Sequence, residues 1–348
     1  LCDEYFVSGK PFYFSPRHLL RRQIDRLSKR GIECRVGLEV EWYLLHLAEE
    51  HLPLDNIGAP GLKCRAPNVY PVEPGYSFHS ETNLDRMQAP LFAVAEALEK
   101  LNLPLRSLEN EWGPGQVECT FAPRSALEAA DNLVLFRTAT RQVCRRLGYL
   151  ATFMCRPALK GFYSSGWHLH QSLANAKTGL NLFMPKSSAE VLSPLGKQYL
   201  AGLLHHARAS TVLANPTVNA YRRFRINSLA PDRAAWGLDH RGVMLRVLGG
   251  ANDPATRIEN RIGEPSANPY LYIASQIVTG LDGVDHERDP GAPETDPYTS
   301  QCPMLPATLA DALTLFDQDP LFRDQFGKTF VDYYVEINLA GFEKMINA

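Results

Sequence analysis

The run Glu33-Cys34-Arg35-Val36-Gly37-Leu38-Glu39-Val40-Glu41-Trp42-Tyr43-Leu44-Leu45 alternates well enough to read as a strand, with Glu39 and Glu41 on one face and Trp42 and Leu44 on the other. Two later stretches repeat the pattern: His168-Leu169-His170, and Arg257-Ile258-Glu259-Asn260-Arg261. Successive strand residues point to opposite faces, so each stretch aims its polar groups at one side of a sheet. Carboxylates lined up this way repel, and burying them unpaired costs several kcal/mol unless cations sit between them. A hard divalent metal is the simplest such cation. The nearby arginines suggest an anionic partner such as a phosphate.

Each group also has a plain structural explanation. Glu39 and Glu41 suit the wet side of an edge strand, and Glu111 and Glu118 suit the solvated flanks of a hairpin around Trp112-Gly113-Pro114-Gly115-Gln116. His168 and His170 follow Ser164-Ser165-Gly166, a small-residue lead that lets a backbone approach a ligand, yet a histidine on an apolar strand is often only a satisfied core residue. Arg241, Arg246, Arg257 and Arg261 suit surface salt bridges, but four at strand spacing with Glu259 among them also suit phosphoryl oxygens. Taken together, five carboxylates and a histidine fill two oxygen-rich metal shells, which magnesium or manganese prefer. Nothing matches a zinc helix motif, a Walker loop, a dinucleotide fingerprint or a nucleophile elbow.

The totals narrow the class. A chain of 348 residues allows one large domain or two smaller ones, and 45% hydrophobic content is ordinary for a globular protein. A net charge of -2 and a single short basic cluster, Arg222-Arg223-Phe224-Arg225, argue against nucleic acid. Seven scattered cysteines without a Cys-x-x-Cys pair fit a reducing compartment, so cytoplasm is the expectation. No apolar run approaches the ~20 residues of a membrane helix, and the first residues given lack a basic-then-apolar pattern. Leu1 is no natural start, so residues upstream are expected to be missing.

Along the chain, His18 to Leu27 reads as an amphipathic helix stopped at Gly31, and residues 48 to 80 as a long irregular excursion. Gln88 to Leu101 has helical spacing, a strand-loop-strand unit spans Glu109 to Phe121, and Ser125 to Leu147 forms a helix capped by Ser125 and Glu128. A helix from Tyr199 to Leu213, a linker from Gly280 to Pro306 and a helical cap from about residue 307 to the end complete the reading. Strands and helices do not alternate regularly. The expected class is therefore α+β, an antiparallel sheet with helices on its outer face.

Five ordered words then make a more specific signal: Gly37-Leu38-Glu39-Val40-Glu41; Glu111-Trp112-Gly113-Pro114-Gly115-Gln116-Val117-Glu118; Gly166-Trp167-His168-Leu169-His170-Gln171-Ser172; Asn215 to Arg223; and Arg257 to Arg261 running into Pro265-Ser266-Ala267-Asn268-Pro269-Tyr270. In order and spacing they resemble the catalytic domain of the glutamine synthetase family over nearly the whole chain. The resemblance implies a sheet-lined funnel with Glu41, Glu111 and Glu118 on one metal, and Glu39, His168 and Glu259 on the other. It assigns His170, Ser172, Arg241, Arg246 and Arg257 to ATP, and Gly166, Arg223 and Arg261 to the acid substrate. Arg241, Glu259 and Arg261 carry the catalytic roles, and the implied assembly is a homo-oligomer, a double ring in the family. The reaction it implies joins the γ-carboxyl of glutamate, or a close analogue, to an amine through an acyl phosphate made with ATP and Mg²⁺ or Mn²⁺.

Departures from the family pattern sharpen the expectation. Leu229 takes the place of a glutamate that serves ammonium, and Tyr163 and Ser164 stand where Asn-Gly contacts the amino acid. An organic amine or polyamine is therefore expected over ammonium, with Asp232 as a possible substitute for the lost acid. The family's N-terminal β-grasp domain is not found before Cys2-Asp3, so the chain reads as catalytic domain from residue 1 to 348. Alternatives are a true glutamine synthetase, a non-catalytic structural or regulatory relative, and a phosphotransferase on the same sheet.

Overall fold

In the computed structural model, which describes residues 1–49, 51, 54, 65–224 and 230–346, the acidic run belongs to a 16-residue strand. Helix α1 (Pro16–Lys29) precedes it, with proline in its first turn and Leu19, Leu20, Gln23 and Leu27 on its buried face. The chain reverses at Gly31, at φ +69°, straight into β1 (Ile32–Leu47). On β1, Leu38, Val40, Trp42 and Leu44 enter the main core, while Glu39 and Glu41 take the opposite face as expected.

The remaining strands are β2 (Val69–Pro71), β3 (Leu105–Asn110), β4 (Gln116–Ser125), β5 (Tyr149–Thr152), β6 (Trp167–Asn175), β7 (Trp236–Leu238), β8 (Leu245–Leu248) and β9 (Arg257–Gly263). Among the described residues they form one sheet in the order β3-β4-β1-β6-β9-β8-β7, with β2 and β5 paired to the far half of β1. Every pairing is antiparallel except β7 with β8. That parallel pair departs from the all-antiparallel expectation. β7 and β8 are only three and four residues long and sit at the sheet's end, beyond the strands that carry the acidic row.

The helices are α2 (Glu81–Lys100), α3 (Ala126–Arg146), α4 (Pro194–His205), α5 (Ala207–Ala214), α6 (Pro269–Asp285), α7 (Leu309–Gln318), α8 (Pro320–Phe326) and α9 (Lys328–Ile346). α1, α3 and α6 pack together behind the sheet, as the fold class requires. α6 is buried from Pro269 to Gly283, and a polar seam ties it to the sheet. The Tyr199 hydroxyl lies 3.0 Å from Gln171 Oε1 and 2.9 Å from the Gln276 carbonyl, with one proton to give between them, and Gln276 Oε1 accepts from Gln171 at 3.0 Å and Asn260 at 2.8 Å.

Several local expectations need correction. The span from Gly280 is not yet linker, because α6 continues to Asp285. Its glycines are contact residues: a Cβ at Gly283 would lie 2.1 Å from the Gln198 carbonyl, and one at Gly202 would lie 2.1 Å from the Thr279 carbonyl. Small residues there let α4 and α6 touch backbone to backbone. The helix expected from Tyr199 to Leu213 is two helices meeting at His206, whose ring nitrogens lie 2.7 Å from Asp319 and 3.0 Å from Asp282. Ser125 begins α3 without a side-chain cap bond, and Glu128 pairs with Arg124 at 3.2 Å instead of reaching back. Part of the irregular excursion is strand β2, and α2 starts earlier than its apolar spacing suggests, at a cap where Ser80 Oγ accepts from the Asn83 N–H. The helical C-terminal cap is present as α7 to α9. Among the described residues no helix is long and apolar enough to cross a membrane.

Candidate active site

Strand register, more than sequence proximity, assembles the site. Across neighbouring strands Glu118 on β4 faces Glu41 on β1, Glu39 on β1 faces His168 on β6, His170 on β6 faces Glu259 on β9, and Glu259 faces Arg246 on β8. The result is a polar row running across five strands on the face opposite the main core. A one-residue slip of β1 would turn its two glutamates into that core, so the apolar alternation behind the row protects the site in front.

The row has two electrostatic halves. At the β6–β9 end the charges are paired. Glu39 Oε1 lies 2.5 Å from His168 Nδ1 and its Oε2 lies 3.2 Å from His170 Nε2. Glu259, fully buried, accepts from Arg246 at 3.1 Å through Oε2 and from Arg261 through Oε1. Burial would raise both carboxyls, but the imidazoles beside Glu39, and His168 with Arg261 beside Glu259, hold them below the ordinary range. Burial and the Arg261 charge push His168 down, which favours the neutral imidazole that a metal ligand must be.

At the β4–β1 end three acids face a single guanidinium, that of Arg223, whose charge acts on Glu41. Burial, reinforced by Glu111, pushes the Glu41 carboxyl up to about 8, while burial and the Glu39, Glu41 and Glu111 charges push Glu118 up to about 10. Glu111 is raised by the same burial. Among the described residues neither Glu111 nor Glu118 makes an ion pair. Two groups of ligand atoms lie within 4.8 Å of one another: Glu39, His168 and Glu259, and Glu41, Glu118 and His168. The donor set is oxygen-rich with one neutral nitrogen, and half of it is short of counter-charge, so these residues fit hard divalent cations.

The first group matches the expected ligand set. The second has His168 in place of Glu111, whose Oε2 accepts its neighbour's Trp112 N–H at 2.6 Å. Glu111 nonetheless lines the same cavity of about 580 Å³, together with Glu39, Glu41, Glu118, His168, Arg223, Arg241, Arg246 and Arg261. A second cavity of about 800 Å³ holds Arg257, His170 and Ser172, with Glu39 and Glu109 lining both. Arg257 Nε donates to His170 Nδ1 at 3.1 Å. Arg261 Nε donates to the Arg241 carbonyl at 3.0 Å, which ties that turn to β9.

Arg223 and Gly166 sit differently from a simple substrate clamp. The Arg223 guanidinium donates to the Arg261, Ile262 and Gly263 carbonyls at 2.8 to 2.9 Å, so it braces the end of β9 while edging the cavity. The Gly166 N–H donates to Glu41 Oε2 at 3.0 Å, and a Cβ there would meet Arg223 at 2.5 Å. Leu229 lies outside the described residues. Asp232 pairs with Arg233 at 3.4 Å and does not line the cavity.

Three functional supports escape sequence reasoning. Buried Gln116 donates to Glu41 Oε2 at 2.9 Å and to Ser165 Oγ at 3.1 Å, while its Oε1 accepts the Gly113 N–H at 2.9 Å. Its place in the Gly-Pro-Gly-Gln word was the available signal. Buried Glu73 accepts N–H bonds from Gly75 and Gly115, and so clasps that loop from within the stretch read as featureless. Asp239 pairs with Arg246 from the far side.

The solved structure of a GmaS–ADP complex superimposes with a TM-score of 0.83 at 25% identity, covering 99% of this chain and 77% of that one, so the fold is shared with a glutamine synthetase-like protein. Residues 14–347 match the glutamine synthetase catalytic domain, and the chain belongs to that family. It is similar to a γ-glutamylanilide synthase of an Acinetobacter species, 47% identical over all of this chain and 70% of the relative. It is also similar to a glutamate–isopropylamine ligase of a Pseudomonas species, 29% identical over 97% of this chain and 72% of the relative.

Proposed function

We propose that this protein is an ATP-dependent ligase that joins the γ-carboxyl of glutamate, or a close analogue, to an organic amine. The observation that carries the reading is the polar row itself, in which paired and unpaired carboxylates alternate with two histidines and guanidinium groups between two adjoining cavities. Two similar proteins are named for joining glutamate to aniline and to isopropylamine, and both acceptors are organic amines.

In this reading the 800 Å³ cavity receives ATP, with Arg257, His170 and Ser172 along the nucleotide. Glu39, His168 and Glu259 hold one divalent ion, and Glu41, Glu118 and Glu111, with His168 near, hold another. Magnesium or manganese bound there supplies Lewis-acid neutralisation of phosphoryl and carboxylate oxygens. Arg246 and Arg241 meet the transferring phosphoryl group from the β8 side, and their fixed positive charge offsets the charge that spreads over its oxygens. The γ-carboxylate oxygen attacks the γ-phosphorus, and the P–O bond to ADP breaks. Arg261, anchored to Glu259 and to the Arg241 turn, steadies the activated carboxyl. The amine nitrogen then attacks the γ-carbon, the C–O bond to phosphate breaks, and the surplus N–H proton leaves with the phosphate. Arg223 and Gly166 shape the acid's end of the cavity. Enclosure by the sheet and the Gly-Pro-Gly-Gln loop keeps water from the acyl phosphate. Cytoplasmic residence and a ring-like homo-oligomer go with the proposal.

Phosphate release from ATP and glutamate by the full-length protein, screened across ammonium, methylamine, isopropylamine, putrescine and aniline, tests it. Stimulation by at least one organic amine beyond ammonium is expected. A clear preference for ammonium over every organic amine would refute the choice of acceptor, and turnover indifferent to any amine would refute the ligase reading.

A further inference from the structure

Three aromatic rings stand together at the mouth of the 580 Å³ cavity. Trp112 and Tyr163 line it, and Tyr76 contacts both. Their centroids are 6.1 to 6.5 Å apart and each pair is close to perpendicular, at 78 to 81°, so the rings form a corner of three apolar faces. Each is more than 40% exposed, and scattered aromatics of that exposure need no explanation. Two lining one polar cavity, with a third packed against both, do.

The corner is rigidly mounted. Tyr76 has a left-handed backbone, φ +61°, costly for a residue with a bulky side chain, and its N–H donates to the Trp112 carbonyl at 2.7 Å. Its hydroxyl donates to the Gly161 carbonyl at 3.0 Å, and a Cβ at Gly161 would lie 2.3 Å from the Tyr76 hydroxyl oxygen. The hydroxyl of buried Tyr43 accepts the Tyr163 N–H and donates to the Tyr163 carbonyl, both at 3.0 Å. The Trp112 N–H donates to Glu111 in the carboxylate row, so one peptide links the corner to the reacting end. Strain and anchoring of this kind hold exposed rings in fixed orientation where a surface loop would leave them free.

We infer that Tyr76, Trp112 and Tyr163 form the acceptor-selecting wall of the enzyme and that the acceptor is a flat aromatic amine. This rests on the ligase reading above and names its substrate class. An aromatic ring entering the corner meets ring faces and edges at once, the geometry aromatic pairs favour, and covers more apolar surface than an isopropyl group. Ammonium gains no such contact. An arylamine is also neutral at pH 7, so its nitrogen arrives with a free electron pair and needs no carboxylate to remove a proton before attack. Alkylammonium ions would be drawn to ring faces as cations, and the test separates the two.

The test compares kcat/KM for aniline, isopropylamine and ammonium in full-length wild type, Trp112→Ala, Tyr163→Ala and Trp112→Phe, with melting in Mg²⁺-ATP as the check on folding. Wild type should prefer aniline. Each alanine variant should lower the aniline-to-ammonium ratio on the order of 30-fold, as loss of a stacked contact does, and Trp112→Phe should restore most of it. An unchanged ratio in folded alanine variants would overturn the inference while leaving the ligase reading intact. So would a loss confined to isopropylamine, which would mark a cation cage. Phosphate release that no amine stimulates would sink both.

Discussion

Replacing Glu118 with glutamine should stabilise the metal-free protein while removing its response to metal. The carboxyl ordinarily titrates at 4.5, and burial with three acidic neighbours pushes it up to about 10. In the unfolded chain it ionises above 4.5, whereas the folded chain keeps it protonated, so folding takes up a proton and stability falls as pH rises between the two values. At about 1.4 kcal/mol per unit, the span from 4.5 to pH 7.5 amounts to about 4 kcal/mol. Glutamine keeps the shape and removes the charge. With an unfolding entropy of ~2 cal/mol/K per residue, 348 residues convert that gain to about 6 °C in Tm. Thermal unfolding in EDTA at pH 7.5 should show the rise, and the wild-type value should decline from pH 5 to 9 more steeply than the variant's. Mg²⁺-ATP at a hundredfold excess over Kd should add ~2.7 kcal/mol to wild type and much less to Glu118→Gln. A variant less stable than wild type in EDTA, or one with the full metal response, would refute the excess of acid at that end of the row.

His168→Ala removes the one residue common to both ligand groups, so ATP turnover should fall on the order of 100-fold with the fold retained, as circular dichroism and phosphate release would show. Near-wild-type turnover would mean that His168 holds no ion. His206→Asn removes the imidazole between Asp282 and Asp319 and should cost about 3 kcal/mol in urea unfolding at pH 6. Burial works against its charge, but the two aspartates raise its pKa above 6.5; that stability is present below 6.5 and lost as pH rises through the raised value, so the cost should shrink by pH 9. An equal cost at both pH values would mean the contact is held by shape alone.

Alternation made β1 legible, because Leu38, Val40, Trp42 and Leu44 could only serve a core behind the two glutamates. The same holds for Trp167 and Leu169 behind His168 and His170. Pairing was not legible from composition or period: nothing local to Glu41 says that Glu118 lies opposite it, and only the family-like words placed them together. Gly280 and Gly283 misled because a glycine that ends a helix and one that admits a neighbouring backbone look alike in sequence. Glu73 and Tyr76 escaped for a related reason. Their stretch has no period, since its job is to clasp a loop and hold a side chain at positive φ, and neither task repeats along the chain.

Glu39 and Glu109 belong to the walls of both cavities, so the two chambers are adjoining rooms with a shared partition rather than one hall. A small molecule shaped for the smaller room would press on the aromatic corner and the carboxylate row without entering the larger one. Such a compound need not outbid the cell's abundant ATP. It would also owe its selectivity to Trp112 and Tyr163, which line that room and not the larger one.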